Sequence, residues 1–276
     1  MRKVFIVFLF LFMFCLLPLS ACAKSQNILI DGDHGKLSAV LQTPDEKDSY
    51  DLVMLLHGFT SSKEDPIIKT AAEKLDQNGI ASLRFDFNGH GESEGEFQDM
   101  TVLNEIEDAK KVYDYAKKLP QVKTISILGH SQGGVVSSMT AGELGTAAFE
   151  NVVLMAPAAV LREDSARGSL FGVAFDPSNP PEYVELNLGK IYRVGQNYMK
   201  VAAQLEIFET ASKYEGNVCL IHGTSDNIVP YTYSIYYDKW YKNSELHLLK
   251  GLDHGFSQDL NQAVDVAVNF LVGHLK

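Results

Sequence analysis

The stretch ISILGHSQGGVVSSMTAGEL, Ile125–Leu144, opens as an apolar run rich in β-branched residues and closes in small residues at helical spacing. Ser131 stands between the two halves, with Gly129 before it and Gly133 after it. This is the Gly-x-Ser-x-Gly pattern of a nucleophile elbow, in which a sharp strand-to-helix turn lifts the serine hydroxyl clear of the sheet. The glycines suit it because strand and helix meet too closely there for a Cβ. A serine that merely caps the helix is the blander reading. The strand on one side and the helix on the other favour the nucleophile.

A serine hydroxyl is a weak nucleophile near neutral pH and needs a base, which in turn needs an acid to orient it. Behind this kind of elbow the partners come in the chain order serine, acid, histidine. LIHGTSDNIVP places Asp226 just past an apolar strand, and LKGLDHGF places His254 just past the next one. Asp253 adjoins His254, so its side chain is expected to point elsewhere. Asp86 precedes the serine and is expected to order the loop DFNGHGES. His57, His90, His130 and His222 are read as structural, as are His34, His247 and His274 in turn, strand and terminal positions. The oxyanion of a tetrahedral intermediate needs backbone donors. One is expected from Gln132, the residue after the nucleophile, and the other from Phe59 in the loop of LLHGFTSS.

Working outward, apolar strands alternate with amphipathic helices. NILIDGDHGKLSAVLQTP reads as a hairpin, and DLVMLLHG, ASLRFDF, KTISILGHS, NVVLMAP, NVCLIHG and ELHLLKG read as strands. Helices are expected near 66–77, over TVLNEIEDAKKVYDYAKKL, near 231–241 and near 257–271. In TVLNEIEDAKKVYDYAKKL the inward face is read as Leu103, Ile106, Val112, Tyr113, Ala116 and Leu119. Continuous apolar strands imply an α/β fold with a mostly parallel sheet covered by helices on both faces. Loops at the carboxyl ends of such strands carry the chemistry. Residues from about 158 to 215 break the rhythm, with one helix-like stretch near 196–212. They are read as a small lid inserted over the site.

The chain has 276 residues and a formal net charge of −11, which disfavours nucleic acid as a partner. MRKVFIVFLFLFMFCLLPLSACAKSQ has the basic start, short apolar run and small-residue junction of a secretory signal. LSAC, ending at Cys22, resembles a bacterial lipobox. It would make residues 1–22 a lipoprotein-type signal segment, cut so that Cys22 is the first mature residue and carries a membrane-anchoring lipid outside the cytoplasm. ACA at 21–23 also fits ordinary cleavage and free secretion. Of the three cysteines only Cys219 lies in the body, in a strand, where it reads as a small core residue. No internal disulfide is therefore available to the body. There is no metal-ligand spacing, and no cofactor is expected. The oligomeric state stays open.

The ordered series HGFT, FDFNGHGESEG, MTVLNEIEDA, LGHSQGGVVSSMTAG, LMAPAA, CLIHGTSD and LDHGF resembles the α/β-hydrolase superfamily. It is most similar to bacterial feruloyl (cinnamoyl) esterases. The resemblance implies hydrolysis of hydroxycinnamate esters and a small inserted domain that holds the aromatic acid. Within that insertion Tyr192, Glu163 and Asp164 are candidates for phenolic hydroxyls. The alternatives within the same fold are a general short-chain esterase, an acylglycerol lipase or a peptidase. The alternative outside enzymes is an inactive binding protein that kept the fold.

Overall fold

The computed structural model describes residues 24–44 and 47–275. The leader and Cys22 lie outside the described residues. Strands β1 (Lys24–Asp31) and β2 (Lys36–Thr43) form the expected antiparallel hairpin. The core strands are β3 (Tyr50–Leu56), β4 (Ala81–Phe85), β5 (Val122–His130), β6 (Asn151–Met155), β11 (Asn217–Gly223) and β12 (Ser244–Leu249). The eight strands lie in the order β1-β2-β4-β3-β5-β6-β11-β12. From β4 to β12 every neighbouring pair is parallel, while β2 runs antiparallel to both of its neighbours, β1 and β4.

Period-two alternation assigns each face its core. Leu52, Met54 and Leu56 of β3 pack on one side with helices α2 (Val102–Ala116) and α3 (Gln132–Leu144). Val53 and Leu55 pack on the other with α1 (Pro66–Gln77) and α8 (Leu260–His274). Helix α7 (Thr232–Trp240) completes the first side. Helix α1 begins where Pro66 suits the first turn and the Asp65 side chain caps the Ile67 N–H.

Three details differ from the sequence expectation. Leu103 is exposed, while Glu105 and Asp108 of the same helix are buried. The polar pair turns inward because each carboxylate has amide donors waiting there. The last helix starts at Leu260, three residues later than expected. Asp253 binds the Ser257 backbone and Asp259 caps the Gln262 N–H, so the first true cap is Asp259.

The insertion between β6 and β11 holds α4 (Val160–Ala166), β7 (Ser169–Leu170), β8 (Val173–Ala174), β9 (Tyr183–Asn187), β10 (Ile191–Gly195), α5 (Gln196–Ala202) and α6 (Ile207–Ala211). Here the third difference arises, since the expected helix over 196–212 is two short ones. Leu205 and Ile207 are both buried. Two residues apart, they would face nearly opposite ways on one continuous helix.

Candidate active site

Strand β5 ends at His130, α3 starts at Gln132, and Ser131 between them has φ 56° and ψ −122°. A non-glycine residue with positive φ is uncommon and signals stored strain. The flanking glycines explain how the turn fits. A Cβ on Gly129 would come within 2.1 Å of the Gly133 carbonyl oxygen, and one on Gly133 within 2.3 Å of that of His57.

The strained turn aims Ser131 Oγ at His254 Nε2, 2.9 Å away. His254 Nδ1 lies 2.7 Å from Asp226 Oδ2. With its proton on Nδ1, His254 donates to Asp226 and accepts from the Ser131 hydroxyl. All three residues project from loops at the carboxyl ends of parallel strands, after β5, β11 and β12. Burial works against the charge of Asp226, but hydrogen bonds from His222 and His254 outweigh it and hold its carboxyl well below the ordinary range. Its other oxygen accepts the N–H groups of Ile228 and Val229 at 2.9 and 2.8 Å. Asp226 is thus an ionised, fully engaged acceptor.

The histidines read as structural fall into distinct places. His130 Nε2 donates to the carbonyl of His254 at 2.9 Å, tying the His254 loop to the elbow. Burial, with His254 adding to it, lowers His130 to about 4, so the ring is neutral. His57 holds the loop after β3. Its Nδ1 donates to the Gly58 carbonyl and its Nε2 accepts from the Phe87 N–H. His90 is buried beside His57 and Phe97 and is lowered to about 3, chiefly by desolvation. Asp86 accepts from the backbone and ammonium of the buried Lys63 and from the Glu92 N–H, which orders the loop after β4. Asp253 points away, to Ser257 and Gln258. Cys219 is buried in β11, where desolvation raises its thiol.

Gln132 opens α3, so its N–H is one of those that helix geometry leaves without an intrahelical partner. The Phe59 N–H has no acceptor among the described residues. Phe59 and Gln132 both line a cavity of about 330 Å³ that opens onto Ser131. Its walls include Leu161, Asp164, Leu170, Phe171 and Tyr198 of the insertion. Phe171 stacks on Phe59 with ring centroids 5.2 Å apart, and Tyr198 tilts against Phe59 at 5.7 Å.

Of the three residues considered for phenolic hydroxyls, Asp164 lines this cavity and its carboxyl is raised by burial. Glu163, on the same helix, accepts from the Tyr233 hydroxyl at 2.8 Å and lies outside the lining. Tyr192 is also outside it, packed on Phe97 with its hydroxyl donating to the Thr60 carbonyl. The tyrosine that does reach the cavity is Tyr198, which sequence reasoning missed. Its signal is helical spacing, since Tyr198, Met199 and Ala202 form the buried face of α5.

Tyr198 also ties the insertion to the elbow. Its hydroxyl donates to Gln132 Oε1 at 2.7 Å, and Gln132 Nε2 donates to Glu105 Oε2 at 2.8 Å. Glu105 is raised well above the carboxylate range, mainly by burial and further by Asp108. The folded protein therefore keeps a proton that the unfolded chain loses near pH 4.3. Between that pH and its raised value the folded state binds more protons, so stability falls as pH climbs. Glu105→Gln keeps an acceptor for Gln132 and removes the titration. Its Tm should fall less steeply than the wild-type Tm as pH climbs above about 5, and parallel Tm curves would contradict this.

Among the described residues no group of three or more histidine, cysteine or carboxylate side chains is placed to hold a metal ion.

Comparison with known proteins agrees with this geometry. Residues 47–177 match the family described as Serine aminopeptidase, S33. The solved structure of Est1E from Butyrivibrio proteoclasticus with ferulic acid bound superposes with a TM-score of 0.85. It is 33% identical, over 90% of this chain and 98% of that one. This chain belongs to the α/β-hydrolase family of serine hydrolases. A second structure of Est1E gives this hydrolase a TM-score of 0.82 at 31% identity. The curated relative "Serine hydrolase BPHL" of Homo sapiens is 26% identical over 235 residues, 77% of each chain.

Proposed function

We propose that this hydrolase cleaves carboxylic esters whose acid is a hydroxycinnamate, through an acyl-enzyme on Ser131. The observation that carries the reading is the cavity beside Ser131, walled by Phe59, Phe171 and Tyr198 with Asp164 as its carboxylate. At about 330 Å³ it suits a small, flat acid. Est1E, solved with ferulic acid bound, supports the same choice.

In this reading His254 takes the Ser131 proton as Oγ adds to the ester carbonyl. The Gln132 and Phe59 N–H groups receive the oxyanion. His254 then gives the proton to the leaving alkoxide, so the C–O bond breaks and the acyl group stays on Ser131. A water molecule, deprotonated by His254, repeats the addition. Collapse releases the acid and returns the proton to Ser131.

The test is kcat/KM on methyl ferulate beside p-nitrophenyl butyrate. Preference for the ferulate, despite its poorer leaving group, is the expected result. Activity on the aliphatic ester alone would reduce the proposal to a general esterase. Inertness toward both would favour a binding protein.

We also propose that the protein is exported and held to the membrane by lipid on Cys22. Lys24 pairs with Thr43 at the end of the sheet opposite the triad, because β2 runs antiparallel to β4. A lipid two residues earlier in the chain would attach at that end, away from the triad. Cys22→Ala should move the protein from the membrane to the soluble fraction. A wild-type protein that is already soluble and begins at Lys24 would overturn the anchor.

A further inference from the structure

We propose that His222 is a positioning residue for Asp226, fixing the oxygen that faces His254 and moderating its strength as an acceptor. This rests on the reading of Ser131, His254 and Asp226 as a catalytic triad.

His222 belongs to β11 and is fully buried four residues before Asp226. Its Nε2 lies 3.1 Å from Asp226 Oδ2 and 2.9 Å from the Val229 carbonyl oxygen. Both are acceptors, so Nε2 carries hydrogen. With one proton on the ring, Nδ1 is bare and accepts the hydroxyl of Ser234, 2.7 Å away. The two acceptors at Nε2 thus set the tautomer, and Ser234, fully buried in α7, turns its hydroxyl to donate to the bare nitrogen.

Four donors therefore fill the carboxylate. The Ile228 and Val229 amides hold Oδ1, while His254 and His222 share Oδ2. The His222 N–H is shared between the Val229 carbonyl, which it holds in the loop, and the one oxygen that serves the base. Here the second imidazole prevents rotation of the carboxylate and weakens Oδ2 toward His254. The titratable groups around Asp226 are His222 and His254, with His130 behind the latter.

Removing the donor should do two things. The carboxylate loses an anchor, and the oxygen left to His254 holds the protonated ring more strongly. In His222→Leu, kcat on p-nitrophenyl butyrate should fall roughly 10- to 100-fold, the worth of one hydrogen bond to a charged group. KM should stay near the wild-type value, and the acid limb of kcat/KM should move to higher pH. His222→Gln, which can place an amide N–H near the Nε2 position, should recover most of the rate. Ser234→Ala removes only the hydrogen bond that polarises the ring from Nδ1 and should shift the limb the same way but less.

The experiment compares these three variants of the full chain, each checked for folding by circular dichroism, with Asp226→Asn as control. A folded His222→Leu with wild-type kcat and an unmoved limb would overturn the proposal. So would a Gln variant as slow as Leu with the limb unmoved, which marks packing alone. If His222→Leu does not fold, His222→Asn, whose shorter amide falls short of Oδ2, takes its place, and a wild-type kcat with an unmoved limb there has the same force. Full activity in Asp226→Asn would instead overturn the triad on which the inference stands.

Discussion

Ser131→Ala should leave the protein folded and lower kcat on every ester by roughly 10⁶-fold, the loss seen when a hydrolase serine of this kind is removed. The fold is expected to survive because alanine keeps the Cβ, and so places no new atom in the strained turn at φ 56°. Only the hydroxyl facing His254 is lost. Backbone donors and the cavity remain, so a small residual rate over water should persist. The check is kcat with circular dichroism on the same preparation. A folded variant that keeps even a tenth of wild-type turnover would remove Ser131 from the mechanism.

Asp226→Asn should cost about 10⁴-fold in kcat near neutral pH. Here the local geometry makes the substitution unusually unfavourable. One carboxylate oxygen faces the two backbone N–H groups of Ile228 and Val229, and the other faces two imidazole nitrogens. An asparagine must turn its NH₂ toward one of these donor pairs. Either way a donor meets donors, and when the NH₂ faces the imidazoles His254 is driven toward the tautomer that cannot take the serine proton. The variant should therefore also be less stable than wild type, with a lower Tm. A rate within tenfold of wild type would show that Asp226 is not the partner that orients the base.

Much of this was legible along the chain. The elbow could be read because strand, glycine, serine, glycine and helix are contiguous, and local sterics alone demand them. Asp226 and His254 followed from their positions after successive apolar strands. The roles of His57 and Asp86 in ordering loops also matched their surroundings. What escaped reading depends on contacts between distant segments. Glu105 and Asp108 look like surface residues of an amphipathic helix, yet they are buried because Gln132, Asp33 and Asn88 supply donors from elsewhere. His222 reads as a strand residue until its ring is seen between Ser234 on one side and Asp226 with the Val229 carbonyl on the other. The insertion was the least legible part. Its strands are short, and although helical spacing marks Tyr198 as buried, only the docking of α5 on the elbow shows that it is buried against Gln132.

The most direct measurement is to treat the folded protein with a fluorophosphonate, which reacts with activated serines, and to locate the adduct by peptide mass spectrometry. A hydroxyl activated by His254 predicts one modified peptide, the one that carries Ser131, and none when His254 is replaced by alanine. An unlabelled Ser131 in a protein that still hydrolyses esters would contradict the account, as would equal labelling without His254.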